Sequence, residues 1–391
     1  MSTKVRNTTS QRASQIAPSG IRKFFDLLAS MEGVISLGVG EPDFATPWHI
    51  REAAIYSLEK GYTMYTSNLG MPELRQELSR YLKDNYNLDY DPNTELLITV
   101  GVSEALDLAM RAILDPRDEV IMPDPSYVSY NPCVILAGGT PIMVPTNQEN
   151  NFELAAEDVE ARVTDKTKAI LIGYPANPTG ALMPREKLTK IAKVAQRHRL
   201  LVISDEIYAK LVYGVKHTCF ATLPGMKETT ILLGGFSKAY AMTGWRIGYA
   251  AASKEIIAAM TKIHQYTIMC APTMAQVAAI EALKSGEPSA REMVEDYNRR
   301  RLVMVKGLND IGLPCFKPKG AFYAFPSIKS TGMTSEEFAE KLLREEKVAV
   351  VPGNAFGQCG EGYVRCCYAT SLAEIEEALL RMGRFVSKHK K

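Results

Sequence analysis

Seven short apolar runs recur through the middle of this chain: Leu96–Val100, Glu119–Met122, Pro141–Val144, Ala169–Gly173, Leu201–Ser204, Ile231–Gly234 and Ile247–Ala251. Each is too short for an ordinary helix and is bounded by turn-forming residues, so each reads as a buried strand. Apolar residues at helical spacing lie between several of them, at Glu104–Ile113, Arg185–Arg199 and Glu255–Gln265. A strand that is apolar on both faces has to be covered on both faces. Helical crossovers do that, so the pattern predicts an α/β domain around a mainly parallel sheet. After about Gly286 the pattern changes to a long charged helix (Ala290–Leu308), Gly320–Phe325, a helix at Ser335–Glu345, a strand at Val348–Val351, then Tyr363–Tyr368 and a closing helix from Leu372. That order suggests a smaller α+β unit. The expected division is residues 1–46 as an N-terminal arm packed with the small unit or against a partner subunit, 47–285 as the large unit and 286–391 as the small one. At 391 residues the chain is too long for a single ordinary core.

Bulk chemistry excludes several function classes. A net charge of +2 gives no reason to expect nucleic acid or an anionic membrane as partner. The seven cysteines form no CxxC pair, and the five histidines form no ligand cluster, so neither a metal nor a disulfide framework is expected. The early residues carry Lys4, Arg6, Arg12 and Arg22 without a long apolar core, and no apolar run is of membrane-spanning length. A cytoplasmic protein is the expectation.

Ligands of open α/β sheets sit at the carboxyl ends of the strands. Five chemically loaded turns fall there: Gly101-Val102-Ser103-Glu104, Asp124-Pro125-Ser126-Tyr127, Tyr174 to Gly180, Asp205-Glu206-Ile207-Tyr208, and Gly235-Phe236-Ser237-Lys238. Lys238 lies in a small, polar, glycine-rich turn, with Ser237 beside it and Arg246 eight residues on. An amine that captures an aldehyde cofactor, next to hydroxyl and guanidinium donors for a phosphate, calls for this setting. A surface lysine does not. The turn at Gly101 opens a helix whose first N–H groups suit a phosphate. Alternation along the strand turns Glu206 away from the edge that carries Asp205. Asp124–Pro125 and Asn177–Pro178 are candidates for cis peptides.

Four motifs carry a resemblance: Tyr-Pro-x-Asn-Pro-Thr-Gly from Tyr174, Ser-Asp-Glu-x-Tyr from Ser204, Gly-Phe-Ser-Lys-x-Tyr-x-Met-Thr-Gly-Trp-Arg-x-Gly-Tyr from Gly235, and Gly-Tyr-Val-Arg from Gly362. With Ser19-Gly20-Ile21-Arg22-Lys23-Phe24 they make the chain similar, over nearly its whole length, to class I/II pyridoxal-phosphate aminotransferases. Within that family it resembles the bacterial and archaeal branch of aspartate, aromatic and N-acetyl-diaminopimelate enzymes. The resemblance implies a large domain with a mainly parallel seven-stranded sheet, a smaller α+β domain, pyridoxal 5'-phosphate as cofactor and a homodimer with shared active sites. It also implies ping-pong transfer of an amino group from an L-amino acid to a 2-oxoacid such as 2-oxoglutarate.

The implied roles follow residue by residue. Lys238 would bind the cofactor aldehyde and later move a proton. Asp205 would face the ring nitrogen, and Tyr208 and Asn177 the ring oxygen. Val102, Ser103, Glu104, Ser237 and Arg246 would hold the phosphate, and Tyr127 would stack on the ring. Tyr65 would reach the phosphate of the other subunit. Arg365, with Gly38 and Asn177, would bind the substrate carboxylate through a planar two-point contact that lysine cannot make. Three departures from the family pattern stand out, the first at the phosphate and the other two at the substrate. Gly235 stands where many relatives carry a hydroxyl, the turn Gly101–Glu104 has no lysine, and no second arginine is evident for a substrate side chain. A carbon–sulfur β-lyase on the same fold, or a catalytically silent regulatory module, remains an alternative at this point.

Overall fold

The structure, a computed structural model, describes residues 8–17 and 31–390. The Ser19–Phe24 motif lies outside the described residues. A short strand, β1 (Ile35–Ser36), precedes the seven strands of the central sheet. These are β2 (Leu96–Thr99), β3 (Glu119–Asp124), β4 (Thr140–Pro145), β5 (Thr167–Ile172), β6 (Leu201–Asp205), β7 (Thr230–Gly235) and β8 (Gly248–Ala251). Their order across the sheet is β2-β8-β7-β6-β5-β3-β4. Every apolar run expected to be a strand is one, with ends moved by a few residues. β8 alone runs antiparallel, against both β2 and β7. β2 and β7 therefore point the same way, and the turn at Gly101 opens on the same sheet edge as Asp205 and Lys238.

The sheet is parallel where the apolar runs demanded cover on both faces, and the cover is helical. One buried cluster joins the helix Gly101–Ile113 to the strands through Leu106, Met110, Ile203 and Leu233. Another joins the helix Arg185–His198 through Leu188, Ile191, Ile170 and Val202. Four longer helices lay outside the expected set, Trp48–Glu59, Pro72–Tyr86, Tyr130–Ala137 and Thr273–Ser285, although Pro72–Tyr86 shows Leu74, Leu78 and Leu82 at helical spacing. Trp48–Glu59 leaves Trp48, Ile55, Tyr56 and Leu58 exposed, which blurs any single apolar stripe. Thr273–Ser285 buries small residues, mainly alanines.

The later chain forms two small sheets. β9 (Tyr323–Ala324), β11 (Val351–Pro352) and β12 (Val364–Cys367) make an antiparallel sheet in the order β11-β12-β9. β10 (Val348–Ala349) instead pairs in parallel with β1. The continuous strand expected over Val348–Val351 is therefore broken, because its two halves serve different sheets. The Leu37 N–H donates to the Ala349 carbonyl, and the Leu37 carbonyl accepts from Cys367 N–H. This anchors the segment from Leu37 to Thr46 at one end. Its far end is fixed where Thr46 Oγ1 donates to the Ala241 carbonyl at 2.6 Å. The segment thus spans from the small sheets to the turn after β7. Two helices of the late chain, Ser335–Glu346 and Leu372–His389, start with reciprocal capping boxes at Thr334–Glu337 and Ser371–Glu374.

Ile203 is fully buried at the centre of the parallel sheet. Ile203→Ala is expected to cost about 2–5 kcal/mol of stability by chemical denaturation. A loss below about 0.5 kcal/mol would contradict the packing described.

Candidate active site

Four strand ends and the Leu37–Thr46 segment converge on Lys238. Its Nζ donates to the Gly40 carbonyl at 2.7 Å. Burial pushes the ammonium down to about 8, helped by the charges of Arg365 and Arg246 and opposed by Cys367 and Glu41. The Phe322 ring lies 5.8 Å from the nitrogen. An amine with this proton affinity is about one-quarter neutral at pH 7.5, against about one part in a thousand for an ordinary lysine, and the neutral form is the one that attacks a carbonyl.

Asp205 ends β6. One of its oxygens accepts from Tyr130 Oη at 2.8 Å and the other from Ile207 N–H at 3.1 Å. Burial raises its carboxyl to about 6, against the lowering effect of both donors. Gly173 follows β5 beside it, and a Cβ there would come 2.2 Å from the Tyr130 hydroxyl. Glu206 faces the other way, as alternation predicted. It is buried, accepts from Ser204 Oγ at 2.8 Å and pairs with His217.

The Tyr208 hydroxyl is 2.7 Å from that of Tyr323. Burial holds both phenols above their ordinary range. The guanidinium carbon of Arg365 is 4.5 Å from the Tyr323 ring centre and 4.9 Å from that of Phe356. Arg365 Nη1 donates to Asn177 Oδ1 at 2.9 Å, and Nη2 to the Gly38 carbonyl at 2.7 Å. Its Nε is buried without a partner, and among the described residues Arg365 forms no ion pair. A buried, aromatic-framed guanidinium with only neutral acceptors suits an external carboxylate.

A second place suited to an anion lies where the start of the helix Gly101–Ile113 meets Arg246. The helix Gly101–Ile113 starts with Gly101 at φ +72°, and a Cβ there would fall 2.6 Å from Arg246 Nη2. Glycine is therefore required both for the turn and for the approach of the guanidinium. Arg246 Nη1 donates to the Thr243 carbonyl at 2.8 Å. Val102 and Ser103 occupy the first helical turn, and Ser237 is buried beside Lys238. The Glu104 carboxylate turns away. It accepts from Val100 N–H at 2.5 Å and meets His264 Nδ1 at 2.7 Å, which leaves Glu104 only its backbone to offer an anion. Asp124–Pro125 and Asn177–Pro178 are cis as expected, and Tyr174–Pro175 is cis as well.

Tyr127 is half-buried, with its ring 5.5 Å edge-on from Tyr130. Tyr65 does not join the group within its own chain. It is 82% exposed, next to Met64 at 78%. Three members of the cluster were not singled out in the sequence: Tyr130, Tyr323 and the Gly40 carbonyl. Tyr130 opens the helix Tyr130–Ala137, three residues after Tyr127 in the preceding loop, and nothing in the local sequence marks it as a partner of Asp205.

Comparison with known proteins follows the same lines. A profile described as "Aminotransferase class I and II" matches residues 32–382. A Bacillus subtilis protein named "Putative aminotransferase YugH" is 58% identical over 97% of this chain and 98% of its own length. An "Aspartate aminotransferase" of Pyrococcus abyssi is 49% identical over 97% and 99%. The crystal structure of an aromatic aminotransferase from Pyrococcus horikoshii, 47% identical, superposes with a TM-score of 0.90 over 93% of this chain and 99% of that one.

Labelling of cofactor-free protein by an amine-directed acylating reagent, followed by peptide mass analysis, tests the state of Lys238. The rate of labelling at Lys238 should rise with pH and level off above about 8. A midpoint at the ordinary lysine value, about 10.4, would contradict the enclosed amine described here.

Proposed function

The chain belongs to the class I and II aminotransferases, and from that premise we propose that it transfers an amino group from an L-amino acid to 2-oxoglutarate by a ping-pong reaction on pyridoxal 5'-phosphate. The observation that carries the reading is the position of the Lys238 amine. It is enclosed, its proton affinity is lowered, and the guanidiniums of Arg246 and Arg365, each suited to an anion, both act on its charge.

The residues present fit the cofactor. Lys238 would hold its aldehyde. Arg246, Ser237 and the N–H groups of Val102, Ser103 and Glu104 would hold its phosphate at the space that glycine leaves at position 101. Asp205, fixed by the Tyr130 hydroxyl, would face the ring nitrogen, Tyr127 a ring face, and Tyr208 with Asn177 the ring oxygen. Bound there, pyridoxal phosphate supplies an electron sink for bond breaking at the substrate Cα.

The chain's own groups do the rest. Arg365 binds the substrate carboxylate through two parallel N–H donors, with the Tyr323 and Phe356 rings packed against its guanidinium. Freed of the aldehyde, the Lys238 amine removes a proton at Cα and returns it on the other side of the reaction. The Leu37–Thr46 segment supports both groups, since Gly38 accepts from Arg365 and Gly40 from Lys238. Residues 47–285 and the pair 1–46 with 286–391 are read as two units whose approach on substrate binding excludes water.

A homodimer is part of the reading. Trp48, Ile55, Tyr56, Leu58, Met64 and Tyr65 are exposed near one another in the chain, a concentration that suits an interface. Across that interface Tyr65 would reach the phosphate of the other subunit. The cytoplasm is the proposed location. Among the described residues no helix is long and apolar enough to cross a membrane.

A panel of amino donors, each mixed with the reconstituted enzyme and followed by loss of cofactor absorbance, identifies the donor. 2-Oxoglutarate should restore the absorbance. Lys238→Ala should abolish turnover. Arg365→Ala should lower kcat/KM for the donor roughly hundredfold, with cofactor affinity retained. Loss of cofactor with unchanged substrate affinity in that variant would overturn the assignment of Arg365.

A further inference from the structure

Asp124 is the last residue of β3, and its side chain is buried. No cation pairs with its carboxylate among the described residues. Its two oxygens instead accept backbone N–H groups from a distant loop, Gln358 at 3.1 Å and Cys359 at 3.2 Å. The same strand end makes a third link to that loop, where Ser126 N–H donates to the Phe356 carbonyl at 2.9 Å. The loop is shaped for the contact. Gly357 sits at φ +133°, and a Cβ there would lie 1.9 Å from Asp124 Oδ1. From behind, Thr146 fixes the Asp124 backbone, its N–H donating to the Asp124 carbonyl at 2.7 Å and its hydroxyl at 3.0 Å.

The loop so held bears directly on Arg365. Phe356 belongs to it, and its ring lies 4.9 Å from the guanidinium carbon. Gly353, at the start of the loop, donates its N–H to the Tyr363 carbonyl at 2.9 Å, and the preceding strand pairs Val351 with Arg365. Tyr127 follows Ser126 on the other side of the clasp. A buried carboxylate without a cation is costly unless its hydrogen bonds are well placed. Here burial raises the carboxyl above its ordinary value despite both donors.

We propose that Asp124 is a positioning residue for substrate binding: it clasps the 356–359 loop to the carboxyl edge of the central sheet and so fixes Phe356 behind the Arg365 guanidinium. The inference rests on Arg365 binding the substrate carboxylate. Asp124 touches neither substrate nor cofactor in this account, and it acts through Arg365. Its removal therefore affects encounter with the amino acid and leaves cofactor affinity alone.

The test uses the full-length enzyme reconstituted with pyridoxal phosphate and L-glutamate as probe, with kcat/KM read from the rate of cofactor absorbance loss. Asp124→Ala should lower kcat/KM by roughly tenfold, and Asp124→Asn, which keeps the shape and one acceptor oxygen, by roughly threefold. Cofactor affinity by titration should stay within about twofold in both. In an Arg365→Ala background, Asp124→Asn should cause no further loss, because two residues that act through one contact are not additive. If Asp124→Ala does not fold, the Asn variant carries the same comparison. An unchanged kcat/KM in the Asp124 variants, with Arg365→Ala still impaired, overturns the clasp alone. A full additional loss in the double variant also overturns it, as does a fall in cofactor affinity matching the fall in rate. An Arg365→Ala enzyme as active as the parent on L-glutamate overturns the reading of Arg365, and the clasp's role with it.

Discussion

The enclosed amine of Lys238 is the constraint to which the rest of the site answers. An ammonium in water holds its proton far too tightly to attack a carbonyl near neutral pH. Enclosure at the carboxyl edge of the sheet, with the charges of Arg365 and Arg246, brings it down to about 8. Burial does most of this, and the two guanidiniums that add to it are the groups proposed to hold the phosphate and the substrate carboxylate. In that reading the charges that would recruit phosphate and carboxylate also contribute, after burial, to the lowered proton affinity of the amine.

Asp205 completes the logic with the opposite sign. In the cofactor-free chain burial lifts its carboxyl to about 6, so the folded state binds that proton more tightly than the unfolded state does. The sign is fixed by linkage: stability from this group declines as pH rises between the unfolded carboxyl value, about 3.9, and the folded value. The site thus carries an unfavourable buried anion at neutral pH, relieved in part by the Tyr130 hydroxyl. A protonated ring nitrogen facing Asp205 would remove the penalty, so the apo fold is prepared for a cationic partner there.

The sequence made the framework and the strand-end residues legible for a physical reason. Strands covered on both faces are uniformly apolar, and the rule that ligands meet their carboxyl ends needs no long-range contact to apply. That is how Lys238, Asp205, Asn177 and the Gly101 turn stood out. Contacts made only by folding were not legible. Tyr323 meets Tyr208 across 115 residues, and the Gly40 carbonyl meets Lys238 across 198. No local spacing encodes either pairing. The reversed direction of β8 was hidden because an apolar run reads the same in both orientations. The break in Val348–Val351 was hidden because an apolar run does not record which sheet its two halves join. Tyr65 shows another boundary, since an exposed tyrosine in one chain gives no sign of what a second chain would do with it.

The direct test of the account is covalent. Purified protein is incubated with pyridoxal phosphate, reduced with borohydride, digested and mapped by mass. The account predicts the added pyridoxyl mass on Lys238 and on no other lysine, and its loss in Lys238→Ala. A protein that gains no mass, or gains it elsewhere while Lys238 stays unmodified, would contradict the account at its centre.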